Sequence, residues 1–347
     1  VLKKPKHLLS GDKVATVSPS WGGAGDPELR TRYEIGVKRL KDVFGLHAVP
    51  MPNSLKGTSY LYENPQARAE DLMIAFKDPS IKAIIANIGG DDSIRLLPYL
   101  DLEVIHDNPK IFMGYSDSTI QHLINLKAGI SSFYGPAILT DFAENVEMHA
   151  YTIHSIKQTL FTSTPIGEIE QATAWTSEFL DWTVETNNQI KRKMQPNKGY
   201  ELLQGSGTVS GRLIGGCMEV LEFTKGTELW PTSNHWENSI LFFETSEVKS
   251  SPVLLTYWLR NYAAQGLLQN TNGIVFAKPK DEAFYEEYKR AIRMVMREYK
   301  LEDLPILYNL NFGHTEPKIV IPYGAMAEID CEHQTFSILE SGVEPFK

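Results

Sequence analysis

A chain of 347 residues has room for two domains or one large one, and its 42% hydrophobic and 22% charged content is that of a globular protein with a sizeable core. With 34 Lys+Arg against 43 Asp+Glu the net charge is -9, and no basic tract exists to track a phosphate backbone, so nucleic acid is not an expected partner. No stretch approaches the ~20 apolar residues of a membrane span, so no membrane partner is expected either.

In chain order, residues 14–17 read as a buried strand running into Ser18-Pro19-Ser20 and the glycine-bearing loop 21–25. Leu29, Tyr33, Val37, Leu40 and Val43 fall at helical spacing over 27–44, residues 48–50 form a short strand, and Pro65 opens a helix that Asp78-Pro79 stops. Residues 83–88 are a third strand leading into Gly89-Gly90, followed by strands at 111–113 and 131–134. Strands separated by helices of this length imply a parallel sheet covered on both faces, with ligands beyond the carboxyl ends of its strands. Loops 18–25, 89–93 and 114–118 lie there. From about 161 to 198 periodicity is lost, and Trp175 and Trp182 sit in what reads as a connection able to lend aromatics to a pocket. The second half gives strand signals at 207–214, 240–243, 273–276, 318–322 and 335–339, with helices at 253–265 and 281–299. The expected organisation is an α/β nucleophile domain at 1–165, a connection at 166–200 and a β-rich domain at 201–347. Cys217 and Cys331 form no C-x-x-C pair, so two buried thiols in a reducing cytoplasm is the preferred reading. The basic start, residues 1–7, lacks a following apolar run, which also points to the cytoplasm.

Gly114-Tyr115-Ser116-Asp117-Ser118 follows the apolar run Ile111-Phe112-Met113 and precedes a helix-like segment. A serine at a sharp strand-to-helix corner has its hydroxyl lifted clear of the sheet beside backbone N–H groups, which is what an acyl-transfer nucleophile needs. Serine needs a base, and the base an orienting carboxylate. Of nine histidines, His314 stands apart, in the turn-rich loop Asn311-Phe312-Gly313-His314-Thr315-Glu316-Pro317 between apolar segments. His122, two turns into the helix after Ser116, faces the wrong way. Glu244 ends the apolar strand 240–243 and is the expected acid, with Glu247 and Asp330 as competing choices. Gly90 N–H and Asp117 N–H make a candidate oxyanion hole. The acids of Gly89-Gly90-Asp91-Asp92 and the absence of G-x-G-x-x-G spacing argue against a dinucleotide site.

Together, Ile88-Gly89-Gly90-Asp91-Asp92-Ser93, Leu96-Leu97-Pro98-Tyr99-Leu100-Asp101, the blocks 109–119 and 133–137, Gly211-Arg212-Leu213-Ile214-Gly215-Gly216-Cys217, Leu241-Phe242-Phe243-Glu244 and Gly313-His314-Thr315-Glu316-Pro317 resemble the LD-carboxypeptidase/microcin immunity family of serine peptidases. The blocks run in the family's order over roughly 11 to 340. The resemblance implies a class-I-amidotransferase-like α/β domain followed by a β-rich, barrel-like domain, usually as a homodimer, with the site between the domains. It implies Ser116 as nucleophile, His314 as base and acid, Glu244 as the carboxylate holding His314, and Gly90 and Asp117 as oxyanion donors. Gly89, Asp91, Ser20, Trp182 and Trp175 are the expected substrate contacts, and no metal or cofactor is implied. The form of the Gly89-Gly90 turn looks more like the microcin C self-immunity branch, whose enzymes cleave an aminoacyl or peptidyl group from a modified nucleotide. The pair Asp91-Asp92 departs from that branch and keeps a muropeptide LD-carboxypeptidase as the alternative; a non-catalytic binding protein built on the same two-domain cleft is the alternative of another class.

Overall fold

The computed structural model describes residues 1–346. Ile111–Gly114 is buried throughout, and Ile81–Ala86 at every position but Lys82, so both strands are covered on both faces, as the centre of a parallel sheet requires. The first sheet has the order Ile321–Pro322, Phe133–Tyr134, Ile111–Gly114, Ile81–Ala86, Lys13–Val17, His47–Pro50, parallel except for its first pair. Helices Arg30–Phe44, Pro65–Lys77 and Thr119–Lys127 connect its strands. Proline sits in the first turn of the second of these, where its missing N–H is harmless. Gly45, at φ 70°, closes the first by donating its N–H to the carbonyls of Leu40 and Lys41.

The second sheet is eight-stranded and β-rich, with four parallel strands at its centre: Thr208–Cys217, Ser239–Glu244, Gly273–Ala277 and Ile306–Leu310. Antiparallel strands extend it to Gly167–Glu168 at one edge and Glu201–Gln204 at the other, leaving the hydrogen-bonded order open. Helices Pro252–Ala264 and Tyr285–Glu298 pack against each other, the first started by Ser251 Oγ accepting from Leu254 N–H with Pro252 next in sequence.

Two segments cross the division expected from sequence. Gly167–Glu168, in the expected connection, pairs with Thr335–Ile338 of the second sheet. Ile321–Pro322, late in the chain, adds to the first sheet beside Phe133–Tyr134. The longer strand expected at 318–322 shrinks to those two residues, because the backbone N–H groups of Lys318 and Val320 donate to Thr152 Oγ1 and Ser155 Oγ rather than to a neighbouring strand. Among the described residues no helix is long and apolar enough to cross a membrane.

Candidate active site

The chain turns sharply after Ile111–Gly114. A Cβ at Gly114 would meet Ser118 Oγ at 2.6 Å and Ala86 Cβ at 2.9 Å, so only glycine lets strand and helix pack this closely. Ser116 follows at φ 61°, a left-handed conformation that L-residues avoid, and opens the short 3-10 turn into Thr119–Lys127. Its N–H donates to Tyr134 Oη at 3.0 Å, and its carbonyl accepts from Thr119 Oγ1 at 2.7 Å. This strained corner aims Ser116 Oγ into a cavity of about 590 Å³.

His314 arrives from the other side. Gly313 (φ 81°) is another position where only glycine fits, since a Cβ there would lie 2.2 Å from Glu244 Oε2. His314 Nδ1 donates to Glu244 Oε2 at 2.6 Å, and Nε2 lies 3.1 Å from Ser116 Oγ. Glu244 ends the buried strand Ser239–Glu244, and its second oxygen accepts from Tyr134 Oη. The three residues expected from the sequence, 198 positions apart at the extremes, thus form one hydrogen-bonded chain. Of the competing acids, Asp330 pairs with His333. Glu247 does meet His314, but at the opposite nitrogen, its Oε2 2.8 Å from Nε2. Burial acts to lower the His314 pKa, but Glu244 and Glu247 outweigh it and push the imidazole up to about 10. The contact with His314 holds Glu247 down at about 2. His122 lies outside this cluster, buried between Gly114 O and Ser132 Oγ, and burial pushes it down to about 3.

Gly89 packs against the elbow, where a Cβ would stand 3.0 Å from Ser116 Cβ. Gly90, at φ 149°, is wedged against Ser20. Neither Gly90 N–H nor Asp117 N–H has a backbone partner among the described residues. The Asp117 side chain points away from the cavity and accepts from Ser93 N–H at 2.9 Å, while burial raises its pKa. Ser20, Gly89, Gly90, Asp91 and Trp182 line the cavity. Trp175 does not: it is buried, with Lys278 Nζ 4.5 Å from its ring centre, so its indole serves packing. The acidic pair also separates. Asp92 is held by Arg68 and Arg95, which keep its pKa low against the effect of burial, whereas Asp91 is exposed and makes no ion pair among the described residues.

Sequence reasoning assigned no role to three residues at this site. Tyr134, which falls within the 133–137 block of the resemblance, bridges the Ser116 backbone and Glu244. Arg32 lies under Trp182, its guanidinium carbon 4.5 Å from the ring centre. Arg192, from the aperiodic connection, reaches the cavity while paired to Glu144 and Glu316. Glu316 in turn contacts Lys318, which sits over the Tyr115 ring, and Tyr115 lies edge-on to His314. A buried charge network thus backs the imidazole. Among the described residues no group of three or more His, Cys, Asp or Glu is arranged to hold a metal.

The chain matches the LD-carboxypeptidase N-terminal domain over residues 14–135 and the LD-carboxypeptidase C-terminal domain over residues 210–329. It is 30% identical over 342 residues to a putative carboxypeptidase of Vibrio cholerae, covering 98% of each chain. It is 30% identical to the microcin C7 self-immunity protein MccF of Escherichia coli, over 96% of this chain and 94% of that one. A probable murein peptide carboxypeptidase of Bacillus subtilis is 28% identical over 98% of this chain and 95% of its own length. Among solved structures, an MccF-like protein from Streptococcus pneumoniae in complex with AMP superposes with a TM-score of 0.85 at 36% identity, over 94% of this chain and 98% of that one. MccF in complex with aspartyl sulfamoyl adenosine gives 0.84 at 26% identity, over 99% of this chain and 100% of that one. With both domain profiles matched in order and relatives aligned almost end to end, the chain belongs to the LD-carboxypeptidase family and is a serine peptidase.

Proposed function

We propose that Ser116, His314 and Glu244 are a Ser-His-Glu triad that hydrolyses the amide between a small aminoacyl or peptidyl group and a nucleotide-like leaving group. The observation that carries this is His314, spanning from Glu244 Oε2 at 2.6 Å to Ser116 Oγ at 3.1 Å. Ser116 Oγ attacks the carbonyl carbon as its proton passes to His314 Nε2. Glu244 fixes the tautomer and balances the imidazolium that forms. The tetrahedral oxyanion accepts from Gly90 N–H and Asp117 N–H, each worth roughly 10²–10³ in kcat. As the intermediate collapses, His314 returns the proton to the departing nitrogen. It then activates the water that releases the acyl group from Ser116.

The leaving-group side of the cavity supports a nucleotide. Trp182 has one face over the Arg32 guanidinium, and Phe179 stands 5.6 Å from it. That leaves a planar aromatic wall of the kind that stacks on a base. Of the proteins similar to this chain, MccF has been seen with aspartyl sulfamoyl adenosine and the Streptococcus pneumoniae protein with AMP. One observation favours a second reading, cleavage of a muropeptide: Asp91 offers an unpaired carboxylate to a cationic diamino-acid side chain, and a relative is named as a murein peptide carboxypeptidase. The same proposal has the enzyme working in the cytoplasm as a homodimer, which light scattering on the purified protein tests.

The deciding experiment has two arms. A fluorophosphonate should label Ser116, with labelling abolished in Ser116→Ala and weakened in His314→Ala. Mass spectrometry should then find an aspartyl-adenylate analogue hydrolysed in preference to a murein tetrapeptide. Labelling elsewhere or not at all overturns the triad, and the reverse substrate preference overturns the nucleotide assignment.

A further inference from the structure

The loop between Ser239–Glu244 and Pro252–Ala264 does more than connect them. The Glu219 carboxylate accepts from Ser246 N–H at 3.1 Å and from Ser250 Oγ at 2.8 Å, and Lys249 is tied to Asp281. Pinned at both ends, the loop presents Glu247 to the cavity with 55% of its side chain exposed and Oε2 2.8 Å from His314 Nε2. The triad requires no acid there, because Glu244 already serves Nδ1. A carboxylate at each ring nitrogen favours the imidazolium, and an imidazolium has no lone pair on Nε2 with which to take the Ser116 proton. Something must draw Glu247 away before the reaction can start.

The cations of the cavity wall do not hold Glu247. Arg192 is committed to Glu144 and Glu316, Arg32 donates to Leu139 O, Asn145 and Asn188, and Lys280, whose charge helps to lower the Glu247 pKa, forms no ion pair with it among the described residues. A substrate cation is well placed. An amino group on the α-carbon of the acyl residue lies two bonds from the carbonyl carbon that Ser116 Oγ approaches. Ser116 Oγ and Glu247 Oε2 both sit about one hydrogen bond from the same nitrogen, at 3.1 and 2.8 Å.

We propose that Glu247 is a specificity-determining residue that recognises a primary ammonium group on the acyl part of the substrate, and that this ion pair draws Glu247 off His314 Nε2. The inference deepens the triad reading and rests on it. On binding, the ammonium pairs with the Glu247 carboxylate, His314 releases its Nε2 proton to solvent, and the freed lone pair faces the Ser116 hydroxyl. The enzyme is thereby slowed toward acyl groups lacking the charge.

Glu247→Gln is isosteric and lies on an exposed loop, so it should fold normally. In Ser116→Ala protein, which cannot turn over, calorimetry should show aspartyl sulfamoyl adenosine binding roughly 10- to 100-fold more tightly than its Nα-acetyl derivative, the range of a charge-assisted hydrogen bond. The gap should vanish in the Ser116→Ala/Glu247→Gln double variant. With Ser116 intact, a fluorophosphonate carrying no ammonium should label Glu247→Gln at least about 10-fold faster than the unaltered protein, one pKa unit of relief at His314. Equal binding of the two ligands, undetectable binding of both included, or equal labelling rates overturns the proposal and leaves the triad standing. No labelling of either protein removes the triad and this inference with it.

Discussion

Replacing Gly313 by alanine adds one methyl group, and the structure says where it goes: 2.2 Å from Glu244 Oε2, 2.7 Å from its Cδ and 2.9 Å from its Cβ. All three are far inside van der Waals contact, so the Glu244 carboxylate must leave its place against His314 Nδ1, now 2.6 Å away. A second penalty comes from the backbone, since Gly313 has φ 81° and a left-handed L-residue costs about 1–2 kcal/mol. The two effects separate experimentally. Gly207 has φ 70° and nothing within 4 Å of the place a methyl would take, so Gly207→Ala carries the backbone penalty alone. Gly207→Ala should lose about 1–2 kcal/mol in urea titrations, and Gly313→Ala should lose more. Only Gly313→Ala should lose activity. Removing the orienting role of the acid in a serine peptidase costs on the order of 10⁴ in kcat, and partial displacement should cost roughly 10²–10⁴. The assay is steady-state hydrolysis alongside Ser116 labelling. A Gly313→Ala enzyme within threefold of the unaltered kcat would refute the argument that this glycine exists to admit Glu244.

Tyr134→Phe removes the donor to Glu244 and the acceptor of Ser116 N–H, leaving two buried groups unpaired; it should cost about 1–3 kcal/mol of stability and lower kcat at least about tenfold, measured by denaturation and turnover. His314 faces Glu244, Glu247 and the Tyr115 ring, and its pKa is raised to about 10 in the ligand-free protein. Because the base must be neutral, the rate of fluorophosphonate labelling should climb with pH well beyond the ordinary histidine value of about 6.5, and a plateau already at pH 7 would contradict this. The stability linked to the same group has the opposite sign: it is fully present below about pH 6.5 and is lost as pH rises toward 10, so alkaline melts should show a falling Tm. Trp182→Ala should weaken AMP binding by about 1–3 kcal/mol in calorimetry, with Trp175→Ala instead lowering stability because that ring is core.

The parts of the site legible in the sequence are those fixed by local geometry. Ser116 announces itself by a strand, a glycine and a helix start within a few residues, and Glu244 by its place at the end of an apolar run. His314 is marked by the turn that Gly313 makes. What the sequence hides depends on which surfaces meet. Trp175 and Trp182 lie in the same aperiodic stretch with similar neighbours, yet one lies buried beneath Lys278 and the other lines the cavity. Nothing local distinguishes them. Glu247 reads as a rival for the place of Glu244, and only the approach of the imidazole shows that the two acids take opposite nitrogens. The strand Ile306–Leu310 goes unread because Asn309, at φ 75°, interrupts its apolar run with a polar side chain that is nonetheless buried, donating to Gly199 O. Missing that strand conceals the four parallel strands at the centre of the second sheet.

The nucleophile belongs to one sheet and its acid to the other, so the reacting geometry is only as firm as the seam between them. Two side chains sew that seam at the elbow. Tyr134 Oη takes Ser116 N–H and donates to Glu244, while Thr119 Oγ1 donates to Ser116 O and accepts Cys217 N–H from the strand paired with that of Glu244. Both therefore grip the backbone of Ser116, which is held at an unfavourable φ. A left-handed serine would relax by about 1–2 kcal/mol if released, and these contacts are what oppose the release. A third tie joins the histidine loop to the connection, through paired hydrogen bonds between Thr176 and Glu316. Motion between the sheets would loosen the elbow, the acid and the histidine together. Activity should accordingly fail in local opening before the chain unfolds, because the strain at Ser116 has an exit as soon as the seam parts.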